Sequence, residues 1–174
     1  MRTRHKRYTG LDMIRLLVSL LALVAVCVAP PAQAAVTVNC TASASSIAFG
    51  TYNPLNTVSA ASTGTLRVVC SGSGSGSTNV TVGVTLSAGM SGSYANRKML
   101  AGSNSLNYNI YWSTAYAQIM GDGSGGSFAG TAGPFTVFAG GTGTATGTMY
   151  GRVPAQQDVA PGSYVDTILV TVTY

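Results

Sequence analysis

Residues 80–87 read VTVGVTLS, and this stretch decides the class of fold. Every second residue is apolar and the residues between are small or hydroxylated, so an extended chain would carry one apolar face. The apolar row consists of Val80, Val82, Val84 and Leu86. Valine and threonine are also enriched in strands rather than in helices. The stretch therefore predicts a half-buried β-strand.

The end of the chain repeats this alternation over residues 167–174, TILVTVTY. We predict a C-terminal core strand here, whose inward residues are Ile168, Val170, Val172 and Tyr174. Because the alternation continues to the final residue, this strand is expected to lie inside a sheet and to be required for folding.

Turn signals separate four further predicted strands, and no stretch shows a helical period. These strands are 64–70, 106–112, 134–138 and 144–153. The glycine-rich turns include GDGSGG at 121–126 and SGSGSGS at 71–77, and we interpret the second as a flexible hairpin loop. Short strands with frequent turns favour an all-β fold, either a sandwich or a barrel.

The first 34 residues have the parts of a secretory signal peptide. Five basic residues are followed by an almost continuous apolar run at 16–28 and by a small-residue site, which predicts cleavage between Ala34 and Ala35. The run is too short for a membrane span, which needs about 20 residues. A lipoprotein signal ending at Cys27 is disfavoured because the residue before it is not small. One domain, 35–174, remains after cleavage.

Removing the export signal changes the charge and the cysteine count. The whole chain has a net charge of +5, but residues 35–174 hold four basic and three acidic side chains, which leaves +1. No basic cluster predicts a nucleic-acid partner. Cys40 and Cys70 are the remaining cysteines, and an even pair in an exported chain predicts a disulfide between them.

Few side chains that support catalysis follow residue 34. The absence of histidine and glutamate excludes a Ser-His-Asp or Cys-His nucleophile and a histidine-ligated zinc. The three aspartates, Asp122, Asp158 and Asp166, fall in a turn, a loop and the start of a strand, which is typical of turn chemistry rather than of a glycosidase pair. We therefore expect no enzymatic activity, no metal site and no small-molecule cofactor.

Four aromatic residues around one predicted strand leave a binding function open. They are Tyr108, Tyr111, Trp112 and Tyr116. Gathered in one exposed patch, they would indicate a secreted carbohydrate-binding module. Alternation along the strand instead places Tyr108 and Trp112 in the core, which is the interpretation we favour.

A series of motifs in order resembles the spore coat protein U domain of archaic, Csu-type chaperone–usher pilus subunits. The motifs are Cys40 with IAFGTYNP at 47–54, RVVC at 67–70, RKM at 97–99, LNYNIY at 106–111, YGRVP at 150–154 and GSYVDTI at 162–168 with VTY at 172–174. One departure is Met120, because the family usually has tryptophan before Gly-Asp-Gly.

The resemblance implies an immunoglobulin-like antiparallel β-sandwich that lacks its last strand. Such a subunit would receive a strand from a periplasmic chaperone and later from a neighbouring pilus subunit at an outer-membrane usher. The implied function is that of a non-catalytic subunit of a surface pilus, or fimbria, in cell adhesion and biofilm formation. The implied route is through the periplasm to the cell surface. A spore or cell-envelope coat protein is the alternative that the family name implies.

The segment before the first remaining cysteine is short. Five residues separate Ala34 from Cys40, and they reach only about 17 Å when extended, which is less than a donated strand needs. We therefore expect a subunit that accepts a strand and does not donate one, which indicates a tip or minor subunit, or a coat protein that does not polymerise.

Overall fold

The computed structural model describes residues 35–174, and the export signal expected over 1–34 lies outside this part of the chain. Ten strands and one 3-10 turn at Gly89–Ser91 form its regular structure. The strands are β1 (Thr37–Ala44), β2 (Ala60–Ser73), β3 (Ser77–Leu86), β4 (Arg97–Ala101), β5 (Asn104–Tyr111), β6 (Ile119–Met120), β7 (Ser127–Phe128), β8 (Gly130–Phe138), β9 (Thr142–Val153) and β10 (Val170–Thr173). Within these residues, no helix has the length and apolar character needed to span a bilayer. The predicted all-β class is confirmed.

The strands form two sheets with a shared core. The larger sheet has the order β1-β2-β9-β5-β6-β7, with β4 also paired to β5, and the smaller sheet has the order β10-β3-β8. All these pairings are antiparallel except the two-residue pairing of β6 with β7. Because buried side chains of both sheets meet in one cluster, the domain is an antiparallel β-sandwich, as the resemblance implied.

The alternating residues 80–86 lie in β3, the central strand of the smaller sheet. Its four apolar residues are all buried, as the period of two predicts. They share the core with side chains of the larger sheet, among them Leu66, Val68, Leu106, Ile110 and Met149. Full burial of side chains of this size contributes about 1.5–3 kcal/mol each, so β3 is a main source of stability.

The predicted disulfide between Cys40 and Cys70 is present, with an S–S distance of 2.04 Å. The two cysteines lie directly opposite each other in the pairing of β1 with β2. Because β1 is an edge strand of the larger sheet, the bond fixes an edge strand to its neighbour.

Replacing both cysteines with alanine is expected to lower the free energy of unfolding by roughly 3.5 kcal/mol, because a loop with a sequence separation of 30 residues is no longer closed. Urea unfolding of the protein, purified with the chaperone that the resemblance implies, with and without reductant measures this difference. Reductant should shift the midpoint of the wild-type chain and leave that of the alanine variant unchanged. Alkylation of both cysteines in the native wild-type protein would contradict the bond.

The glycine-serine run at 71–77 does not close a hairpin, contrary to our prediction. It joins β2 to β3, and these strands belong to different sheets. The turn between β8 and β9 holds it, because the Gly140 amide donates to the Gly72 carbonyl at 2.9 Å and the Ala139 amide donates to the Gly76 carbonyl at 3.0 Å. Contacts with a distant part of the chain therefore set its path.

The C-terminal strand is shorter than predicted and lies at a sheet edge, not inside a sheet. In the part of the chain that the structure describes, β10 pairs only with β3. Ile168 precedes β10 and Val170 and Val172 lie within it, and all three are half-buried against the core. Tyr174 is not a core residue, contrary to our prediction, because it follows the last paired residue and no adjacent strand covers its 59% exposed side chain.

The other edge of the smaller sheet, β8, is poorly suited to adding a further strand. The register of β8 with β3 shifts between Val80 and Val82, which marks a bulge. Pro134 within β8 has no backbone N–H to offer. Bulges and prolines are common features that protect an edge strand from pairing.

Candidate functional site

An open groove lies between the sheets beside their edge strands β1 and β10, and we call it the edge groove. One wall is the segment 44–49, which continues from the end of β1, and the other is the segment 164–170, which leads into β10. The groove has a volume of about 390 Å³ and continues into a second hollow of about 880 Å³ beside residues 50–54 and 159–163. The two hollows share lining residues and form one extended depression.

The floor of the edge groove is apolar and belongs to the core. Its residues are Leu86, Met99, Tyr108, Ile110 and Met149, which come from β3, β4, β5 and β9. Each of these side chains is at most 9% exposed. A segment that entered the groove would therefore pack directly on the hydrophobic core.

The wall at 164–170 continues along β10 beyond the groove lining to Val172, and over residues 164–172 it has backbone groups that pair with neither β3 nor β4. Val165 exchanges two backbone hydrogen bonds with Leu100, of 2.8 and 3.1 Å, and the Leu169 carbonyl accepts from the Ser87 amide at 2.9 Å. Backbone groups of alternate residues point to opposite sides of an extended strand. Because Val165 and Leu169 point toward β4 and the end of β3, the residues of opposite parity point the other way. These residues are Asp166, Ile168, Val170 and Val172.

The opposite wall rests on a glycine of β9. A Cβ atom at Gly151 would lie 2.6 Å from Ile47 Cγ2 and 2.7 Å from Phe49 Cζ, so only glycine lets this wall sit close to the sheet. The Phe49 ring also meets the Tyr108 ring edge to face, with centroids 6.0 Å apart. Two glycines thus set the position of this wall, because a Cβ atom at Gly64 of β2 would also lie 2.8 Å from Ile47 Cγ1.

Substituting Gly151 with alanine is expected to displace Ile47 and Phe49 and to cost about 1–3 kcal/mol of stability, the usual price of overpacking. Gly147 on the same strand is the matched control, because nothing lies within 4 Å of a Cβ built there. Thermal melting of the two variants, each purified with the chaperone that the resemblance implies, measures the difference. Equal melting temperatures for Gly151→Ala and Gly147→Ala would contradict the close contact.

A hydrogen-bonded carboxylate is the main polar feature of the groove. The Tyr108 hydroxyl donates to Asp166 Oδ2 at 2.8 Å, while the amides of Met90 and Thr167 donate to Asp166 Oδ1 at 2.9 and 2.8 Å. Burial raises the pKa of the Tyr108 phenol, and the hydrogen bond to Asp166 raises it further. Tyr108 therefore remains a neutral donor over the physiological pH range.

A buried arginine connects strands that form the floor of the edge groove. Arg97 has no exposed surface, and it donates to Asn109 Oδ1 at 2.9 Å, to the Ser87 carbonyl at 2.7 Å and to the Met120 carbonyl at 2.8 Å. Its guanidinium lies 5.2 Å from the centroid of the Tyr94 ring. Burial lowers the pKa of the guanidinium, and nearby groups that include Asp166 oppose this effect. The side chain thereby joins the ends of β3 and β6 to β5.

Sequence reasoning noted Arg97 only as part of a family motif and did not assign it this role. The available signal was a basic residue at the start of a mainly apolar strand, where burial requires partners. Met120, where the family usually has tryptophan, is itself buried and supplies a carbonyl to Arg97.

The four aromatic residues that left a binding function open do not form one patch. Tyr108 is buried and Trp112 is half-buried, with the indole N–H donating to the Phe128 carbonyl at 3.0 Å. Tyr111 and Tyr116 contact each other with ring centroids 5.3 Å apart, and the Arg152 guanidinium lies 5.1 Å from the Tyr116 centroid. Strand alternation places Tyr111 on the face opposite to Tyr108, as expected.

Two of the three aspartates, Asp122 and Asp166, accept hydrogen bonds that hold the fold. Asp122 accepts from the Ser124 amide at 2.8 Å and from its hydroxyl at 2.6 Å, and these bonds lower the pKa of Asp122. Asp166 is held in the groove wall as described above. Among residues 35–174, no three histidine, cysteine, aspartate or glutamate side chains come close enough to hold a metal ion.

Comparison with known proteins agrees with this fold. The family model of the Spore Coat Protein U domain matches residues 25–171. Among solved structures, the chain is similar to one in the CsuC-CsuE chaperone–tip adhesion subunit pre-assembly complex from the archaic chaperone-usher Csu pili of Acinetobacter baumannii. The TM-score is 0.50 at 19% identity, over 79% of this chain and 40% of that one, so the chain spans well under half of its neighbour. No curated protein matches the sequence. Because this family model matches most of the length of the chain, the chain belongs to the Spore Coat Protein U domain family.

Proposed function

We propose that this protein is a non-catalytic structural subunit of a surface pilus that accepts a β-strand in the edge groove. The observation that carries the proposal is the wall at 164–172, whose outward backbone groups lie beside an apolar floor. An added strand would satisfy those backbone groups and bury core side chains at the same time. Exposed edges of this kind are normally protected in soluble proteins, so an open one needs a partner.

The partners in this proposal follow the chaperone–usher route. A periplasmic chaperone would fill the groove first, and a neighbouring subunit would replace it at an outer-membrane usher. Family membership and the fold shared with a subunit from a chaperone complex support this sequence of partners. The export signal expected over 1–34, with cleavage between Ala34 and Ala35, would bring the chain to the periplasm. The assembled pilus would stand on the cell surface, where it would serve adhesion and biofilm formation.

We place the subunit at a tip or minor position in the assembly. Residues 37–44 are paired throughout with β2, and the disulfide at Cys40 fixes them there. With cleavage after Ala34, only Ala35 and Val36 would precede this paired strand. The protein would therefore accept a strand without having a free segment to donate.

The test is to co-express the chain with its chaperone and to mix the purified complex with the subunit that follows it. We expect a one-to-one chaperone complex, exchange of the chaperone for a donor strand, and no growth when this subunit is alone. Long homopolymers would refute the capping position, and sequencing the mature N-terminus would reveal a longer free segment. A soluble monomer that melts cooperatively without chaperone would refute strand acceptance and favour the coat or carbohydrate-binding alternative.

A further inference from the structure

We infer that the edge groove selects its incoming strand by one polar position: the strand must present a short, neutral hydrogen-bond donor where it passes Asp166. Serine, threonine or asparagine would meet this requirement, while the other inward positions take apolar side chains. The inference rests on the proposed function, because it specifies the partner of the same groove.

The register follows from the wall at 164–172. A strand that pairs with the outward backbone of this wall places its inward side chains beside those of the residues it faces, whichever direction it runs. The inward side chains of the wall are Asp166, Ile168, Val170 and Val172. Three successive inward positions of the partner therefore meet aliphatic residues, and the fourth, at one end, meets a carboxylate.

The carboxylate of Asp166 has capacity for one more donor. Two carboxylate oxygens offer about four acceptor sites, and three are used by the Tyr108 hydroxyl and the amides of Met90 and Thr167. Water can satisfy the remaining site only while the groove is open. A strand that covers the groove excludes this water, so an apolar side chain at this position would leave the fourth acceptor position unused, while a hydroxyl or amide would add a hydrogen bond to a charged group.

The charge around Asp166 favours a neutral donor over a cation. Asp166 is one of the groups that raise the pKa of the buried Arg97, so this arginine already compensates part of the charge of the carboxylate. A lysine or arginine of the incoming strand would also have to bury a long charged side chain against the apolar floor. A short hydroxyl or amide supplies the missing hydrogen bond without that penalty.

The test uses the chaperone-bound protein and two synthetic nine-residue peptides. Both alternate apolar and polar residues, and they differ only in threonine or valine at the inward position facing Asp166. The pair is made in both chain directions. Competition for the chaperone-bound groove should favour the threonine peptide by about tenfold, the effect of one additional hydrogen bond to a charged group. Equal binding, or better binding of valine, would overturn the inference while leaving strand acceptance intact.

Two variants sharpen the test without changing the shape of the groove. Tyr108→Phe removes one of the three donors to Asp166, so the preference for threonine should increase. Asp166→Asn removes the negative charge, so the threonine hydroxyl could form only a neutral hydrogen bond with the amide, and the preference for threonine over valine should be smaller than in the wild-type groove. If the ratio of threonine-peptide to valine-peptide binding is unchanged in Tyr108→Phe, the inference is contradicted, even where Asp166→Asn does not fold. If neither peptide displaces the chaperone, the proposed function fails instead.

Discussion

Replacing Arg97 with alanine is expected to destabilise the domain by at least about 3 kcal/mol. The change leaves the carbonyls of Ser87 and Met120 without their donor, and each buried acceptor left unsatisfied costs about 1–3 kcal/mol. Asn109 Oδ1 loses one of its two donors and keeps the Ile110 amide. The lost side chain also leaves a cavity, because no part of Arg97 is exposed. The free energy of unfolding of a domain of this size is about 5–15 kcal/mol in total, so little soluble Arg97→Ala protein should accumulate.

The matched control for this substitution is Arg152→Ala. Arg152 is exposed, donates to the Ser59 hydroxyl at 3.1 Å and stacks on Tyr116, so its removal should change stability by less than about 1 kcal/mol. The measurements are periplasmic yield and the melting temperature of the chaperone-bound protein. Equal yields and melting temperatures for the two variants would show that the buried arginine does not join the strands as described.

The second large effect is expected at the groove wall, from Val170→Lys. Val170 lines the groove and packs against the core, so lysine there loses apolar burial of about 2 kcal/mol and adds a charge to an apolar site. Each 1.4 kcal/mol is tenfold in a binding constant, so the yield of the chaperone complex should fall by more than tenfold.

The neighbouring residue provides the control for the groove wall. Leu169 is 67% exposed and its side chain points away from the groove, so Leu169→Lys should leave the chaperone complex nearly unchanged. Co-purification of each variant with the chaperone gives the comparison. A similar loss in both variants would mean that the charge acts on folding generally, and it would remove the groove as the cause.

The sequence was sufficient to predict the strands whose own residues alternate between apolar and polar side chains. In β3 the alternation is nearly perfect, and the structure buries every residue that the period places inward. In contrast, β1 reads TVNCTASA, with little apolar alternation and mostly exposed side chains, and we did not predict it as a strand. It is held by β2 and by the disulfide, which are contacts that no local pattern contains.

The path between strands was less predictable for the same reason. The run at 71–77 has turn chemistry that suits either a hairpin or a crossover, and backbone bonds to the β8–β9 turn decide between them. The groove is also a property of two distant segments, 44–49 and 164–170. Alternation over 167–174 indicated one wall, but nothing local showed that a neighbour was missing from its outer side.

The bulge and the proline of β8 limit the number of strands that the molecule can bind. A sandwich with two open edges could bind a strand on each side and grow into branched or aggregated material. Here the bulge and Pro134 obstruct one edge of the smaller sheet, while β1 and β10 border the same groove. At the far edge of the larger sheet, β7 has only two residues. Among the described residues, one place for a strand remains, so under the proposed function this subunit would end a linear assembly and could not branch it.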